Sequence, residues 1–433
     1  MAEIVIIGGG AGGLELAIRL SKKLRRSSKD RVTLVDRKMN HVWKPLFHEV
    51  AAGTRGISGD QLSYLSLADM HGFRFRTGEV LHIDREAKTI AISGRLGSTG
   101  ESIPKRTLPY DHLVFAIGSE PKTFGIPGIT ENCFFLDTLE QASRYQDAFF
   151  EHCLRLDTKK VEKSEQLRIS IIGGGATGVE LAAELTHSIG HLTRYGFDAF
   201  DASKSVSITL IEAAPRILPQ LDETLSTKAL ERLQELGVDV RTSCKVHEVL
   251  PSGDVKTEDD TVITSDITAW VAGIGAPSVL KELVPDFYLE SGFLAIQDTL
   301  QLQGDETMWA LGDCARLLDP KSGRPLPPKA QVASQQAEHL ANELSRLLVT
   351  KAPAGVFRFK DHGSLVNFGS HSTIGMMMGN LLGSHNVDGW FARRAYKLLY
   401  RRHQFILHGA LRGSLLILSE WLRERVHPRL KLH

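Results

Sequence analysis

A ten-residue glycine-rich stretch occurs twice in the chain. The first copy, GGGAGGLELA, begins at Gly8, and the second, GGGATGVELA, begins at Gly173. An apolar run precedes each copy and a helix-forming segment follows it, which predicts a strand, a tight turn and a helix in both places. The repeat therefore predicts two α/β domains of similar construction.

In both copies the glycines follow the spacing G-x-G-x-x-G, at Gly8, Gly10 and Gly13 and again at Gly173, Gly175 and Gly178. The first glycine permits the sharp turn, the second lets the backbone approach a pyrophosphate, and the third lets helix and strand pack closely. The N-terminus of the helix then faces the anion. The spacing predicts two dinucleotide sites, and two such sites in one chain indicate electron transfer between their ligands.

An acidic residue follows each turn, where the second strand of the domain is expected to end. These residues are Asp36 and Glu212, and a carboxylate there accepts hydrogen bonds from an adenosine ribose. Glu212 would also repel the 2′-phosphate of NADPH, and Ala213 and Ala214 bring no positive charge, although Arg216 lies nearby. The second site is therefore predicted to prefer NADH.

Composition and cysteine spacing are those of an ordinary globular protein. Hydrophobic residues make up 42% and charged residues 24% of the 433 residues, which is sufficient for two or three domains. The four cysteines lie far apart along the chain, at Cys133, Cys153, Cys244 and Cys314. This spacing argues against a disulfide framework and a zinc site, so no metal is predicted.

The net charge of +1 is unevenly distributed. Residues 388–433 hold ten Lys or Arg and three Asp or Glu, a net charge of +7, so the rest of the chain carries −6. At helical spacing, Phe391 and Leu398 share one face, while Arg393 and Lys397 lie on another. No apolar run there reaches the roughly 20 residues that cross a bilayer. The pattern predicts basic amphipathic helices on an anionic membrane surface, with dimer packing as the alternative.

Two glutamines lie where a helix is predicted to begin, in PPKAQVASQQAEHLANEL (327–344). Gln331 and Gln335 are four residues apart and share a helical face, and the small residues Ala333 and Ser334 lie between them. Two amides on a surface of small residues suit a flat electron acceptor whose carbonyl oxygens can accept hydrogen bonds. Two solvated surface glutamines are the alternative.

Three further segments resemble the two-dinucleotide-binding flavoprotein reductases. They are TMWALGDCA (307–315) and the crossover segments LVFAIGSEP (113–121) and AWVAGIGAP (269–277). The resemblance implies that the first turn, with Asp36, holds non-covalent FAD and that Gly312 and Asp313 contact the sugar-alcohol chain of the flavin. It also implies that the second turn, with Glu212 and Gly273, holds NADH in a domain inserted into the FAD domain.

AQVASQ (330–335) resembles the A-Q-x-A-x-Q quinone-site motif of the type II NADH:quinone oxidoreductases, which are single-subunit NADH dehydrogenases that do not pump protons. The likeness extends along the chain and is nearest to the bacterial, membrane-associated branch. It includes HVWKPLFHEVAAG (41–53), ITLIEAAPRILP (208–219), KDHGSLVNF (360–368) and HPRLKLH (427–433). It implies that Gln331 and Gln335 bind the quinone.

The resemblance implies roles in two further places. A loop beside the flavin ring would contain Trp43, Lys44, Pro45 and His48, with simple loop packing as the alternative for all but Lys44. Glu180 would lie near nicotinamide and flavin, where it would orient the nicotinamide or relay a proton to the quinone. The alternative for Glu180 is a favourable position in the first turn of its helix.

The predicted fold is α/β, with two Rossmann-like dinucleotide-binding domains and a small C-terminal membrane-binding region. The predicted boundaries are 1–118 and 277–356 for the FAD domain, the latter with the quinone-site helix, 119–276 for the NADH domain and 357–433 for the C-terminal region.

The family resemblance implies a respiratory NADH dehydrogenase. NADH would pass a hydride to FAD, and a membrane quinone, either ubiquinone or a menaquinone, would then receive two electrons without proton pumping. It further implies a peripheral, monotopic homodimer on the cytoplasmic face of the cell inner membrane, with no nucleic-acid partner. The alternatives are a sulfide:quinone or other disulfide-type flavoprotein reductase, which the cysteine spacing opposes, and a non-catalytic NADH-sensing flavoprotein.

Overall fold

A computed structural model describes residues 1–25, 29–56, 61–96, 102–158, 166–195, 197, 205–368, 373–379 and 383–426. The chain forms two compact units. Unit 1 comprises Met1–Trp43, Gln61–Glu120 and Ile274–Lys360, and unit 2 comprises Lys44–Asp60, Pro121–Gly273 and Asp361–His433. The predicted domain limits stay predictions, and the units differ from them in placing 44–60 and 361–433 with 121–273.

The strands, in chain order, are β1 Glu3–Ile7, β2 Arg31–Asp36, β3 Asn40–His41, β4 Leu62–Ser63, β5 Arg74–Thr77, β6 Val80–Asp84, β7 Thr89–Ile92, β8 Arg95–Leu96, β9 Ser102–Ile103, β10 Arg106–Pro109, β11 His112–Phe115, β12 Glu120–Pro121, β13 Phe134–Phe135, β14 Leu167–Ile172, β15 Val206–Ile211, β16 Val238–Arg241, β17 Val246–Val249, β18 Val255–Thr257, β19 Val262–Ile263, β20 Ile267–Trp270, β21 Ile274–Gly275, β22 Leu294–Ala295, β23 Met308–Ala310, β24 Ala315–Arg316, β25 Gly363–Asn367, β26 Thr373–Gly379 and β27 Gly383–Asp388.

The α-helices are α1 Ala11–Leu24, α2 Phe47–Ala51, α3 Tyr64–His71, α4 Ile129–Asn132, α5 Leu139–Thr158, α6 Ala176–Leu192, α7 Glu223–Glu235, α8 Val279–Leu283, α9 Ala330–Thr350 and α10 Gly389–Val426. Short 3₁₀ turns occur at Lys44–Leu46, Thr193–Tyr195, Pro285–Phe287 and Gly312–Cys314.

Unit 1 is built on a five-stranded parallel sheet with the strand order β23-β11-β1-β2-β5. Its central strands are apolar along nearly their whole length, which is typical of strands buried on both faces. In the register of the sheet, Ile6 lies opposite Leu34 on one side and Val114 on the other. The first glycine turn therefore leaves the sheet from its middle strand, β1.

Unit 2 repeats this plan in a second parallel sheet with the order β13-β20-β14-β15-β16. Here Ile171 lies opposite Leu210 and Ala269. The second glycine turn again follows the middle strand, β14, and leads into α6. The predicted pair of Rossmann-like domains is confirmed.

The C-terminal part of unit 2 begins with the antiparallel sheet β25-β26-β27. It ends in α10, whose backbone breaks at Gly409 (φ 75°, ψ 174°), so the helix consists of two segments. The side chains of 373–400 lie outside the described part of the chain, and so does the segment 427–433. Across the ranges that the structure describes, none of the helices combines the length and apolar character needed to cross a membrane.

Candidate functional site

The first and third glycines of each turn are required by the backbone itself. Gly8 has φ +98° and Gly173 has φ +119°, conformations that L-residues with side chains rarely adopt. A Cβ on Gly13 would lie 1.9 Å from the carbonyl oxygen of Gly8, and a Cβ on Gly178 would lie 2.0 Å from that of Gly173. Strand and helix approach each other too closely in both turns for any other residue.

The second glycine of each turn has a different environment. Gly10 and Gly175 have extended backbones at the N-caps of α1 and α6, and a Cβ on either would meet no atom within 4 Å. Within the described ranges, neither helix start has a side-chain cap or an acidic residue in its first turn. Among the described residues, no side chain caps the first N–H groups of either helix, and the space beside the second glycine is open, which is the arrangement that a pyrophosphate needs. Both turns fit a dinucleotide.

The acids after the two turns make the same pair of contacts. Asp36 accepts hydrogen bonds from the N–H groups of Gly9 (2.6 Å) and Lys38 (2.8 Å). Glu212 accepts them from Gly174 (2.6 Å) and Ala214 (2.7 Å). Each carboxylate oxygen keeps a further acceptor position, so a ribose hydroxyl can still bind. The two units thus place matching carboxylates beside matching turns.

Arg216 organises the loop after Glu212. Its guanidinium donates hydrogen bonds to the carbonyls of Leu218 (3.4 Å), Pro219 (2.9 Å) and Leu221 (2.9 Å), all in its own loop. These contacts hold the guanidinium among carbonyl oxygens. They favour the prediction that the second site prefers NADH to NADPH.

Two buried side chains that the sequence does not reveal hold the first glycine turn. The Tyr64 hydroxyl donates a hydrogen bond to the Gly9 carbonyl (2.7 Å), and His41 Nδ1 lies 2.9 Å from the same oxygen. Burial lowers the pKa of His41 to about 4, so the ring is neutral at neutral pH and Nδ1–H is the donor. In the second turn the Gly174 carbonyl instead accepts from the backbone N–H of Leu218 (2.7 Å).

The Gly-Asp pair that follows β23 is held by Gln336, the residue next to Gln335. Gly312 has φ +72°, and its N–H donates to Oε1 of the buried Gln336 (2.7 Å). The Ser119 hydroxyl donates to Asp313 Oδ2 (3.4 Å). Gln336 lies in the AQVASQQ run of the sequence, but the sequence does not reveal its contact with Gly312.

Both predicted quinone residues lie on α9, which begins at Ala330 as predicted. The amide of Gln335 pairs with the main chain of Lys360, because Nε2 donates to the Lys360 carbonyl (2.8 Å) and Oε1 accepts from the Lys360 N–H (3.0 Å). Gln331 is half-buried. Between them, the Ser334 hydroxyl donates to the buried Glu15 of α1 (3.0 Å). Gln335 therefore fixes the chain at Lys360 in addition to any role in binding.

Two more predicted cofactor residues have defined surroundings in unit 2. Lys44 Nζ forms an ion pair with Asp137 Oδ1. Gly273 has φ +69°, and a Cβ on it would lie 2.3 Å from the Phe124 ring. Glycine at 273 is thus required by conformation and by packing.

Glu180 is buried, and it is the fifth residue of α6. The expectation that it occupies the first turn is wrong, because the helix begins at Ala176 and the first turn holds no acid. A favourable interaction with the helix dipole in the first turn therefore does not explain why a glutamate occupies position 180. Its Oε1 accepts a hydrogen bond from the N–H of Asn367 (3.0 Å), and its Oε2 lies 3.5 Å from His48 Nδ1.

Burial raises the pKa of Glu180 to about 8, and the charges of Glu49 and Glu184 add to the effect. Burial and the charge of Arg55 lower the pKa of His48 to about 3, so this histidine is neutral at neutral pH. The contact between His48 and Glu180 is therefore not an ion pair. A carboxyl that holds its proton at neutral pH can act as a general acid.

The cysteines are all free thiols. Burial raises the pKa of Cys133, Cys153 and Cys314 to about 12 in each case. The Cys314 sulfur also contacts the Leu311 carbonyl (3.3 Å) inside the core. A reactive cysteine needs a lowered pKa, so these thiols are unsuited to disulfide chemistry.

The chain resembles a known class of oxidoreductases. Residues 2–337 match the family described as pyridine nucleotide-disulphide oxidoreductases, and the chain belongs to that class. A type II NADH:quinone oxidoreductase of Haemophilus influenzae is 38% identical, with all of both chains covered. A type II NADH:quinone oxidoreductase of Staphylococcus haemolyticus is 27% identical over 87% of this chain and 90% of that one.

A solved structure, NDH2 from Plasmodium falciparum in complex with NADH, has the same fold. Its TM-score is 0.83 at 19% identity, with 99% of this chain and 100% of that chain covered. The protein is a member of the type II NADH:quinone oxidoreductase family, as the sequence predicts. It is an FAD-dependent oxidoreductase.

Proposed function

We propose that the protein is a respiratory NADH dehydrogenase that reduces a membrane quinone without pumping protons. The observation that carries the proposal is the pair of matching glycine turns, each with an open helix N-terminus and a carboxylate at the end of the next strand. When bound, FAD accepts a hydride from NADH and passes two electrons to the quinone. The relative from Haemophilus influenzae bears the name of this activity.

The residues of unit 1 bind and orient FAD. The N–H groups after Gly10 bind the pyrophosphate, and Asp36 accepts from the ribose. The Gly9 carbonyl is held by Tyr64 and His41, so the turn keeps its shape without a ligand. Gln336 fixes Gly312, and the Gly-Asp pair would contact the sugar-alcohol chain of the flavin. Lys44 is also proposed as a flavin residue, as the family resemblance implies.

The residues of unit 2 bind NADH. The turn around Gly175 takes the pyrophosphate, and Glu212 accepts from the adenosine ribose and repels a 2′-phosphate. Glu180 is proposed as the carboxyl that protonates the reduced quinone. The quinone itself, ubiquinone or a menaquinone, is assigned to the face of α9 with Gln331 and Gln335.

The quinone assignment predicts a selective kinetic defect. Gln331→Leu and Gln335→Leu should each slow reoxidation of the reduced flavin by a short-chain quinone by about tenfold, since one or two hydrogen bonds of about 1 kcal/mol each are lost. Flavin reduction by NADH should stay at the wild-type rate. Stopped-flow absorbance measures both half-reactions, and Asn342→Leu, an exposed amide on the same helix, is the matched control. Equal loss of both half-reactions would show that the pair is structural.

We also propose that the protein binds the membrane surface through α10. Beyond Gly409 this helix exposes a stripe of leucines on one face, Leu411, Leu415, Leu418 and Leu422, which are 51% to 77% exposed. The segment 388–433 carries a net charge of +7. An apolar stripe on a strongly basic segment suits an interface with anionic lipid headgroups.

The stripe makes a prediction about vesicle binding. Leu415→Ser with Leu418→Ser should weaken binding to anionic vesicles by at least about 100-fold, since each buried leucine contributes about 1.5 to 3 kcal/mol. Leu416→Ser is the control, because Leu416 is also exposed but lies off the stripe. Vesicle co-sedimentation measures the effect. Unchanged binding with an altered sedimenting mass would assign the stripe to dimer packing.

The remaining parts of the proposal concern assembly and location. We place the protein as a homodimer on the cytoplasmic face of the inner membrane, where NADH is available and where a peripheral enzyme can reach quinone. Sedimentation of the detergent-solubilised protein tests the dimer.

A further inference from the structure

Phe124 is an exposed aromatic residue of unit 2 with an unfavourable backbone conformation. The residue is 65% exposed, and its φ is +53°, which is an outlier for a bulky side chain. A phenyl ring held in this way costs free energy and gains little from burial. Residues with such strain cluster at ligand sites, and the stability of the fold does not explain this one.

The loop that carries Phe124 is fastened to the end of β20. The Lys122 N–H donates to the Gly273 carbonyl (3.2 Å), and the Lys122 carbonyl accepts from Trp270 Nε1 (3.0 Å). The buried Trp270 ring meets the Phe124 ring edge to face, with 6.3 Å between the centroids and 61° between the planes. A Cβ on Gly273 would lie 2.3 Å from the Phe124 ring. The ring is therefore held over the backbone of Gly273.

The segment beneath this ring borders the second glycine turn. A Cβ on Gly173 would lie 2.8 Å from the nitrogen of Ala272. The Val271 N–H donates to the carbonyl of Ile172, the last residue of β14 (2.9 Å). The glycine turn, the segment 271–273 and the ring of Phe124 thus follow one another in direct contact.

The strand order shows which half of a dinucleotide lies on this side. The middle strand β14 has β15 on one side, with Glu212 after its end, and β20 on the other. A dinucleotide crosses the carboxyl ends of the strands with its pyrophosphate at the turn. Because Glu212 is proposed to bind the adenosine ribose, the nicotinamide half lies on the side of β20. Gly273 and Phe124 follow and cover the end of that strand.

We infer that Phe124 forms an aromatic wall of the nicotinamide subsite and contacts the nicotinamide ring. This assignment rests on the proposed function, in which unit 2 binds NADH. Aromatic rings attract one another in offset or edge-to-face contact, and the positive ring of NAD⁺ is also attracted to the face of a phenyl group. A wall that restricts rotation of the nicotinamide favours the orientation that hydride transfer needs.

Phe124→Ala tests the contact through binding alone. Isothermal titration of the FAD-loaded protein compares NAD⁺ with ADP-ribose, which lacks the nicotinamide ring. The variant should bind NAD⁺ about 10-fold more weakly, and its affinity for ADP-ribose should equal that of the wild type. Phe124→Tyr keeps the aromatic face and should keep the NAD⁺ affinity. Phe124→Leu keeps apolar packing on Gly273 without that face, so it should lose affinity as the alanine variant does.

The same contact predicts a selective kinetic effect. At NADH concentrations below saturation, flavin reduction should slow by at least about 10-fold in Phe124→Ala, and reoxidation by quinone should stay at the wild-type rate. Tyr195→Ala is the matched control, because Tyr195 is also an exposed aromatic residue (47%) and follows the far end of α6, which is about 25 Å long. This control should change neither binding nor rate.

A stability measurement separates a binding role from a structural one. Glycine adopts a positive φ without strain, so Phe124→Gly should unfold at or above the wild-type temperature while binding NAD⁺ weakly. A lower unfolding temperature in this variant would show that the ring supports the fold, and would overturn the inference.

The binding data can overturn the inference in three further ways. They are unchanged NAD⁺ affinity in Phe124→Ala, equal weakening of NAD⁺ and ADP-ribose, or full NAD⁺ affinity in Phe124→Leu. A wild type that binds neither ligand would instead refute the NADH site of the proposed function, and the inference with it.

Discussion

Gly175→Val should abolish flavin reduction by NADH in a protein that still folds and still contains FAD. Gly175 has an extended backbone, and a side chain there would meet no protein atom within 4 Å, so the fold tolerates valine. The same side chain fills the space in front of the N-terminus of α6, where the pyrophosphate of NADH must lie. Hydrogen bonds to a charged group contribute about 1.5 to 3 kcal/mol each. Losing two of them lowers kcat/KM for NADH by at least about 100-fold.

A matched control lies in the same helix. Gly190 also has open space at its Cβ, and Gly190→Val should leave flavin reduction unchanged. The FAD content, the thermal transition and the rate of bleaching by NADH are measured for both variants. Normal bleaching in Gly175→Val would show that NADH does not bind at this turn. Loss of FAD or of the folded state would show that the position is structural.

Glu180→Gln should slow reoxidation of the flavin by quinone by at least about 100-fold, the lower end of the contribution of a general acid. The amide keeps Oε1 as an acceptor for Asn367, so the local structure is retained. Flavin reduction by NADH should change little, since no proton is delivered in that step. Stopped-flow reoxidation with excess quinone measures the effect.

The pH dependence provides the control for this prediction. The pKa of Glu180 is raised to about 8, so the carboxyl is protonated below that pH and loses its proton above it. Wild-type reoxidation should therefore slow as pH rises through about 8, and the variant should lack this decline. An equal loss of both half-reactions, or an unchanged pH profile, would contradict the role of Glu180.

The fold could be predicted from the sequence because its determinants are local. The spacing of Gly8, Gly10 and Gly13 fixes a turn within six residues, and the acid at the next strand end is found by counting along the chain. The same holds for the start of α9 at Ala330. Each of these features depends on residues close together in sequence.

The supporting contacts could not be predicted, because they join distant segments. Tyr64 holds Gly9 from 55 residues away, and Asn367 reaches Glu180 across 187 residues. Nothing in the pattern around Tyr64 or Asn367 distinguishes them from ordinary core or strand residues. The burial of Glu184 is likewise invisible in sequence, since it depends on α2 and β25 packing against α6. Such contacts require the folded chain.

The most direct test of the central claim follows flavin absorbance without oxygen. Purified yellow protein is mixed with NADH, and in a parallel run with NADPH, and a short-chain quinone is then added. Fast bleaching by NADH, slow bleaching by NADPH and prompt recolouring by quinone are predicted, and together they establish donor, cofactor and acceptor. Bleaching that quinone fails to reverse would contradict the proposed activity while leaving the two dinucleotide sites in place.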